Sequence, residues 1–148
     1  QDGRCDSLAE LEGAWSGARV LLAEDDEIVG EIAEELIGRT GATIDRVWDG
    51  AEAVEALERA AAGTYDLVFM DVQMPRMDGL EAARAIVADC ERSGRAHPPI
   101  IAMTANAYVE DRKRAYDAGM DGYAVKPIDK EEIFKLFGTY VPLDGKRA

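Results

Sequence analysis

The chain has 148 residues, 47% of them hydrophobic and 7% aromatic, which suits one domain with a sizeable core and excludes a disordered chain. Thirty acidic against seventeen basic residues give a formal net charge of −13, a sign that repels phosphate backbones, argues against nucleic acid as a partner and favours cations or basic surfaces. Two cysteines, Cys5 and Cys90, show no disulfide or metal-ligand pattern, so a reducing, cytoplasmic setting is the default. No apolar run approaches the roughly 20 residues of a membrane span, and no signal peptide is visible.

Gln1 in place of Met reads as the start of a processed or excised piece of something longer. Residues 1–18 (QDGRCDSLAELEGAWSGA) are polar and read as a tail or linker, with one short helical turn at Leu8 to Glu12. Arg19 to Ala23 (RVLLA) is an apolar strand. Ile28, Ile32, Ala33, Leu36 and Ile37 then recur at helical spacing, and the helix should stop near Gly38 to Gly41. A second strand covers Ala42 to Val47; Asp45 and Arg46 within it mark a sheet edge. The second helix follows Gly50, with Val54, Leu57 and Ala61 on one face. The third strand is Asp66 to Met70, and the third helix carries Ala83, Ile86, Val87 and Cys90.

After a polar loop from Glu91 to Pro98, the fourth strand is Pro99 to Met103. Ala105 to Ala118 is a helix with few large apolar residues, Gly122 to Val125 is the fifth strand, and Ile133, Leu136 and Phe137 place the last helix after Pro127. Short, wholly apolar strands alternating with helices predict an α/β fold: a (βα)5 chain whose doubly wound parallel five-stranded sheet is covered on both faces.

Such sheets bind ligands beyond the C-terminal ends of their strands. Glu24, Asp25 and Asp26 follow strand 1, Asp71 follows strand 3, Thr104 follows strand 4, and Lys126 follows strand 5. Carboxylates gathered there repel by about 4 kcal/mol at about 4 Å with an effective dielectric near 20. They must protonate, separate or hold a cation. Hard oxygen donors at an open site favour Mg²⁺, and a lone lysine beside them could balance a phosphoryl group.

The acidic pair Glu24-Asp25, the segment MDVQMPRMDG (70–79), the MTA at 103–105 and YAVKP at 123–127 resemble the response-regulator receiver domain, the phosphoacceptor module of two-component signalling. The resemblance covers roughly residues 19–140, leaving 1–18 and 141–148 as tails. LLAEDDEI and AGMDGYAVKPI look most like receivers of hybrid histidine kinases, although Asn is common there where this chain has Asp26. The resemblance implies a flavodoxin-like strand order 2-1-3-4-5 and a phosphoryl group taken by Asp71 from a phosphohistidine. Mg²⁺, with Mn²⁺ as a substitute, would be ligated by Asp25, Asp71, Glu24 directly or through water, and the backbone carbonyl of Gln73.

Lys126 and Thr104 would contact the phosphoryl group, Tyr123 would turn inward when Thr104 moves, and Gln73 and Asn106 would tune self-dephosphorylation. The Lys126-Pro127 bond would be cis. The donor would be a histidine kinase dimerisation helix or a histidine phosphotransfer domain, docking near Ile28 and Val29 on the first helix. The chain would be a signalling phosphoacceptor rather than an enzyme, with no nucleic-acid or membrane contact of its own.

Plainer readings stand beside these. Asp26 could simply cap the first helix, Thr104 the fourth, and Tyr123 could be an ordinary half-buried aromatic. His97, the only histidine, reads as solvent-facing in its loop, so the chain offers no helical histidine of its own to phosphorylate. A haloacid-dehalogenase-type phosphatase would need a second Asp two residues after Asp71, where Gln73 stands. A dinucleotide site would need a glycine-rich turn where AEDDEIVG stands. A receiver-like interaction module that is never phosphorylated is the remaining alternative.

Overall fold

Five parallel strands form the centre of the computed structural model, which describes residues 12–61, 63–72, 74, 77–105, 109–126 and 128–141. They are β1 (Arg19–Ala23), β2 (Thr43–Val47), β3 (Leu67–Asp71), β4 (Ile100–Thr104) and β5 (Gly122–Val125), in the order β2-β1-β3-β4-β5. The helices between and after them are α1 (Glu27–Gly38), α2 (Gly50–Arg59), α3 (Gly79–Ser93), α4 (Val109–Asp117) and α5 (Lys130–Tyr140).

β1, β3 and β4 are almost wholly buried because helices cover both faces. On one face Val20, Leu22, Phe69 and Met103 pack with Ala33 and Ile37 of α1 and with Ile133, Phe134 and Phe137 of α5. On the other, Leu21, Val68, Met70 and Ala102 pack with Leu57 of α2, Ile86 of α3 and Ala115 of α4. Alternation along each strand sends neighbouring side chains to the two layers.

Four of the five helices start on aspartate. Asp26, Asp49, Asp78 and Asp129 each accept a hydrogen bond from the backbone N–H three residues on, at 2.8–2.9 Å, satisfying a donor that a helix start leaves unpaired. The capping reading of Asp26 therefore holds.

Several boundaries move. β3 and β4 each end one residue later than expected, so Asp71 and Thr104 are the last residues of the ladder itself, in register with Met103 and Val125. The described part of α4 is Val109–Asp117, and Ala105, expected to open this helix, is an exposed bend; residues 106–108 lie outside the described residues. Ala61 lies beyond α2 and is exposed. On α1 the apolar spacing merged two faces. Ala33 and Ile37 are buried, while Ile28 and Ile32 are 70% and 52% exposed. At about 100° per residue, Ile28 sits about 140° round from Ala33. α1 ends without a glycine cap: Arg39 is right-handed, and the left-handed residue is Gly41, φ 93°. A Cβ at Gly41 would lie 2.9 Å from the Gly13 backbone.

That contact belongs to the segment expected to be a tail. Residues 12–17 form turns, and Trp15 is 2% exposed. Its Nε1 donates to the Val141 carbonyl at 2.9 Å, and its ring meets Phe134 and Phe137 at 5.9 and 5.3 Å between centroids. Trp15 N donates to Thr40 O, and Gly13 N to Arg39 O, both at 2.8 Å. Glu12 pairs with Lys130. The residues before β1 thus tie the ends of α1 and α5 together. Leu8 to Leu11 and residues 142–148 lie outside the described residues. Cys90 is a free, buried cysteine, and Cys5 is outside the described residues. No helix among them is long and apolar enough to cross a membrane.

Candidate active site

The sheet delivers its charges to one rim. Glu24 leaves β1 fully buried, Asp25 follows it in the open, and Asp26 begins α1. Asp71 ends β3 almost fully buried. One carboxylate oxygen each from Glu24, Asp25 and Asp71 lie within 4.8 Å of one another. From β5, Lys126 Nζ sits 3.0 Å from Glu24 Oε1 and 3.0 Å from Asp71 Oδ2. Its backbone N–H donates to Thr104 O at 2.8 Å, fixing where the side chain starts. Thr104 is buried beside them, and all five residues line one cleft of about 860 Å³.

Two features bring β3 close. Gly79 N donates to Val72 O at 3.1 Å, folding the loop back. A Cβ on Gly79 would fall 2.2 Å from the Asp71 carbonyl oxygen, so α3 can start this near the strand only on glycine. Gln73, Pro75, Asn106 and Pro127 lie outside the described residues, and with them the expected carbonyl ligand, the tuning positions and the Lys126-Pro127 bond.

The electrostatics follow from this packing. Burial pushes the Glu24 carboxyl up to about 7; Asp71 beside it pushes the same way, while Lys126 and the Asp26 N–H, which reaches Glu24 Oε2 at 3.1 Å, pull it down. Burial pulls the Lys126 ammonium down, but Glu24 and Asp71 outweigh it and hold it above its ordinary value. Glu24 Oε1 is buried without a directional hydrogen bond, although the ammonium stands at ion-pair distance from it. A cluster of hard oxygens with one such atom facing inward fits a small divalent cation.

A pH consequence follows for the metal-free protein. A carboxyl held above its unfolded value keeps more protons in the folded state, so folding stability falls as pH rises from about 4.5 to about 7. In chelator, wild type should lose up to roughly 3 kcal/mol across that window relative to Glu24→Gln. Urea unfolding at pH 5 and pH 8 measures it; parallel pH profiles for the two proteins would contradict it.

Tyr123, the expected switch residue, is half-buried and lines the same cleft. Its hydroxyl accepts from Arg112 Nη1 at 2.8 Å, and its ring meets Tyr116 edge-on at 6.5 Å. Arg112 was not expected here; nothing local in the sequence pairs it with Tyr123. Val29 lines the cleft mouth while Ile28 points outward. His97, expected to face solvent, has a side chain only 25% exposed, with Nδ1 2.8 Å from Pro98 O.

The family model of the response regulator receiver domain matches residues 20–137. A probable histidine kinase 2 of Oryza sativa is 41% identical over 144 residues, covering 88% of this chain and 14% of its own length. The receiver domain of a sensor histidine kinase from Pseudomonas aeruginosa, solved with a magnesium ion coordinated in the active-site cleft, is 34% identical with TM-score 0.73, covering 84% of this chain and 97% of that one. A receiver domain from Saccharomyces cerevisiae, solved in complex with a histidine phosphotransfer signalling protein, is 26% identical with TM-score 0.78, covering 88% and 95%. The present chain thus spans only a small part of the kinase it matches. Strand order, the acid cluster with its lysine, and these likenesses agree: the chain belongs to the response-regulator receiver domain family.

Proposed function

We propose that Asp71 is the phosphoacceptor of this receiver domain, taking a phosphoryl group from a partner's phosphohistidine with Mg²⁺ bound. The observation that carries the reading is the position of Asp71, buried at a strand end with an ammonium 3.0 Å from one oxygen and two further acids within 4.8 Å. Glu24, Asp25 and Asp71 would hold the ion, with Mn²⁺ as a substitute and Gln73 as the further ligand that the family implies. When bound, the ion supplies positive charge to the transferring phosphoryl oxygens.

The chain's own residues do the rest. A carboxylate oxygen of Asp71 attacks phosphorus in line, the P–N bond to the imidazole breaks, and the bond's electrons leave with the imidazole nitrogen. The product is an acyl phosphate on Asp71. Lys126 balances charge at the phosphoryl group, and positioning supplies most of the rate. Thr104 and Tyr123 then bias α4, β5 and α5 between two arrangements. The Arg112 bond gives Tyr123 a defined resting position to leave.

The parent would be a hybrid histidine kinase, with a kinase histidine helix or a histidine phosphotransfer domain as cytoplasmic partner. No nucleic-acid or membrane contact by this domain is needed for that role. Because Trp15 and Val141 are both buried, the folded unit would reach at least from Trp15 to Val141, taking in part of the segment read as a tail before residue 19. Incubation with acetyl phosphate and Mg²⁺ should add the mass of one phosphoryl group, with no gain in chelator or in Asp71→Asn. No gain in wild type with Mg²⁺ would leave the unphosphorylated interaction module as the better reading.

A further inference from the structure

Arg46 reads from sequence as a solvated charge marking an edge strand, yet its side chain is only 11% exposed. In the β1–β2 ladder it stands opposite Leu22, on the sheet face that α1 covers. Its guanidinium reaches across to the loop after β1. Nε and Nη2 donate to the Glu24 carbonyl at 3.1 and 2.8 Å, Nη2 also to the Asp26 carbonyl at 3.2 Å, and Nη1 to Glu34 Oε2 at 3.3 Å. The Trp48 ring closes over it, with the guanidinium carbon 3.8 Å from the centroid. The two carbonyls belong to the residues on either side of Asp25.

α1 makes room for this contact. Gly30 lies in its interior, where glycine weakens a helix, and it is not among the residues with positive φ. Space is the reason for it. A Cβ at Gly30 would fall 2.2 Å from Cζ and Nη1 of Arg46 and 2.3 Å from Nη2. Glycine on α1, arginine on β2 and the tryptophan lid form one clasp, and Glu24 N → Val47 O at 3.2 Å adds a backbone tie beside it.

We propose that Arg46 is a positioning residue for the acid cluster: by fixing the carbonyls before and after Asp25, it holds that exposed carboxylate beside Glu24 and Asp71. The inference rests on the reading of these three acids as ligands of a divalent ion. Its planar fork suits two carbonyls at once, which a lysine ammonium cannot match. Groups that orient metal ligands typically change affinity by about 10- to 100-fold when removed.

The test is Mg²⁺ titration of the whole chain, followed by backbone amide NMR shifts at Asp25 and Asp71 and paired with thermal unfolding. Arg46→Met should weaken Mg²⁺ binding about tenfold or more and speed amide exchange at Asp25 and Asp26 without metal. Gly30→Ala, which leaves Arg46 in place but pushes its guanidinium off the carbonyls, should weaken binding similarly. The two changes together should be no worse than Arg46→Met alone, since the added methyl then enters vacated space. Arg46→Lys should fall between wild type and Arg46→Met, and with Gly30→Ala it keeps the question answerable if Arg46→Met fails to fold. Unchanged Mg²⁺ affinity in Arg46→Met, with only the melting temperature lowered, overturns the positioning role and leaves the ligand reading intact. A wild type that binds no Mg²⁺ sinks the ligand reading, and the positioning role with it.

Discussion

Lys126→Met should slow phosphoryl incorporation from acetyl phosphate by about 10²–10³-fold while tightening Mg²⁺ binding. The two effects have opposite signs because the ammonium has two neighbours. It stands 3.0 Å from Asp71 Oδ2, where it can meet charge on an incoming phosphoryl group. Loss of one such charge-stabilising donor typically costs about two to three orders of magnitude. It also stands 3.0 Å from Glu24 Oε1, an oxygen with no directional hydrogen bond of its own. Removing the ammonium leaves that buried carboxyl without its nearest cation, so a divalent ion meets less competition there. Single-turnover incorporation followed by intact mass gives the rate, and a calorimetric Mg²⁺ titration gives the affinity. If both fall together, Lys126 is holding the site's shape rather than acting on the reacting group.

Trp15→Ala should destabilise the fold by about 3–5 kcal/mol, the usual cost of truncating a buried large aromatic, lowering the melting temperature by roughly 10–20 °C for a domain of this size. Trp15 packs on Phe134 and Phe137, and its indole N–H is spent on the Val141 carbonyl. Trp15→Phe keeps most of the apolar contact but removes that hydrogen bond, for a smaller loss of about 1–3 kcal/mol. Trp48→Phe is the control, because Trp48 is 45% exposed. The family match begins at residue 20 and ends at 137, so the Trp15–Val141 tie lies outside it at both ends. A Trp15→Ala protein as stable as wild type would mean that residues 12–18 do not belong to the cooperative unit.

The sheet and the acid cluster were legible because both are written in local signals. Apolar runs such as Leu67–Met70 between helical spacings fix a parallel sheet, and a charged or hydroxyl side chain directly after four of the five runs fixes what gathers at its rim. Glu24, Asp25, Asp71, Thr104 and Lys126 needed nothing further. What escaped depends on contacts between distant segments. QDGRCDSLAELEGAWSGA is polar on average, and one tryptophan in it finds α5 only in three dimensions. Arg46 looks like any edge charge until Gly30 is seen beneath it. Ile28 and Ile32 fit a helical period, but a period does not say which side of the helix meets the core. The His97 side chain is only 25% exposed, with Nδ1 3.9 Å from Asp121 Oδ2, a neighbour that sequence alone does not place.

Locating the acyl phosphate tests the role of Asp71. Wild-type protein phosphorylated with acetyl phosphate and Mg²⁺ is treated with borohydride, which reduces an aspartyl phosphate to homoserine, and its peptides are sequenced by mass spectrometry. Homoserine is expected at position 71 and at no other aspartate. Aspartate intact at 71 with the reduced residue at 25 or 26, or no reduced residue in a protein that had gained the phosphoryl mass, would contradict it.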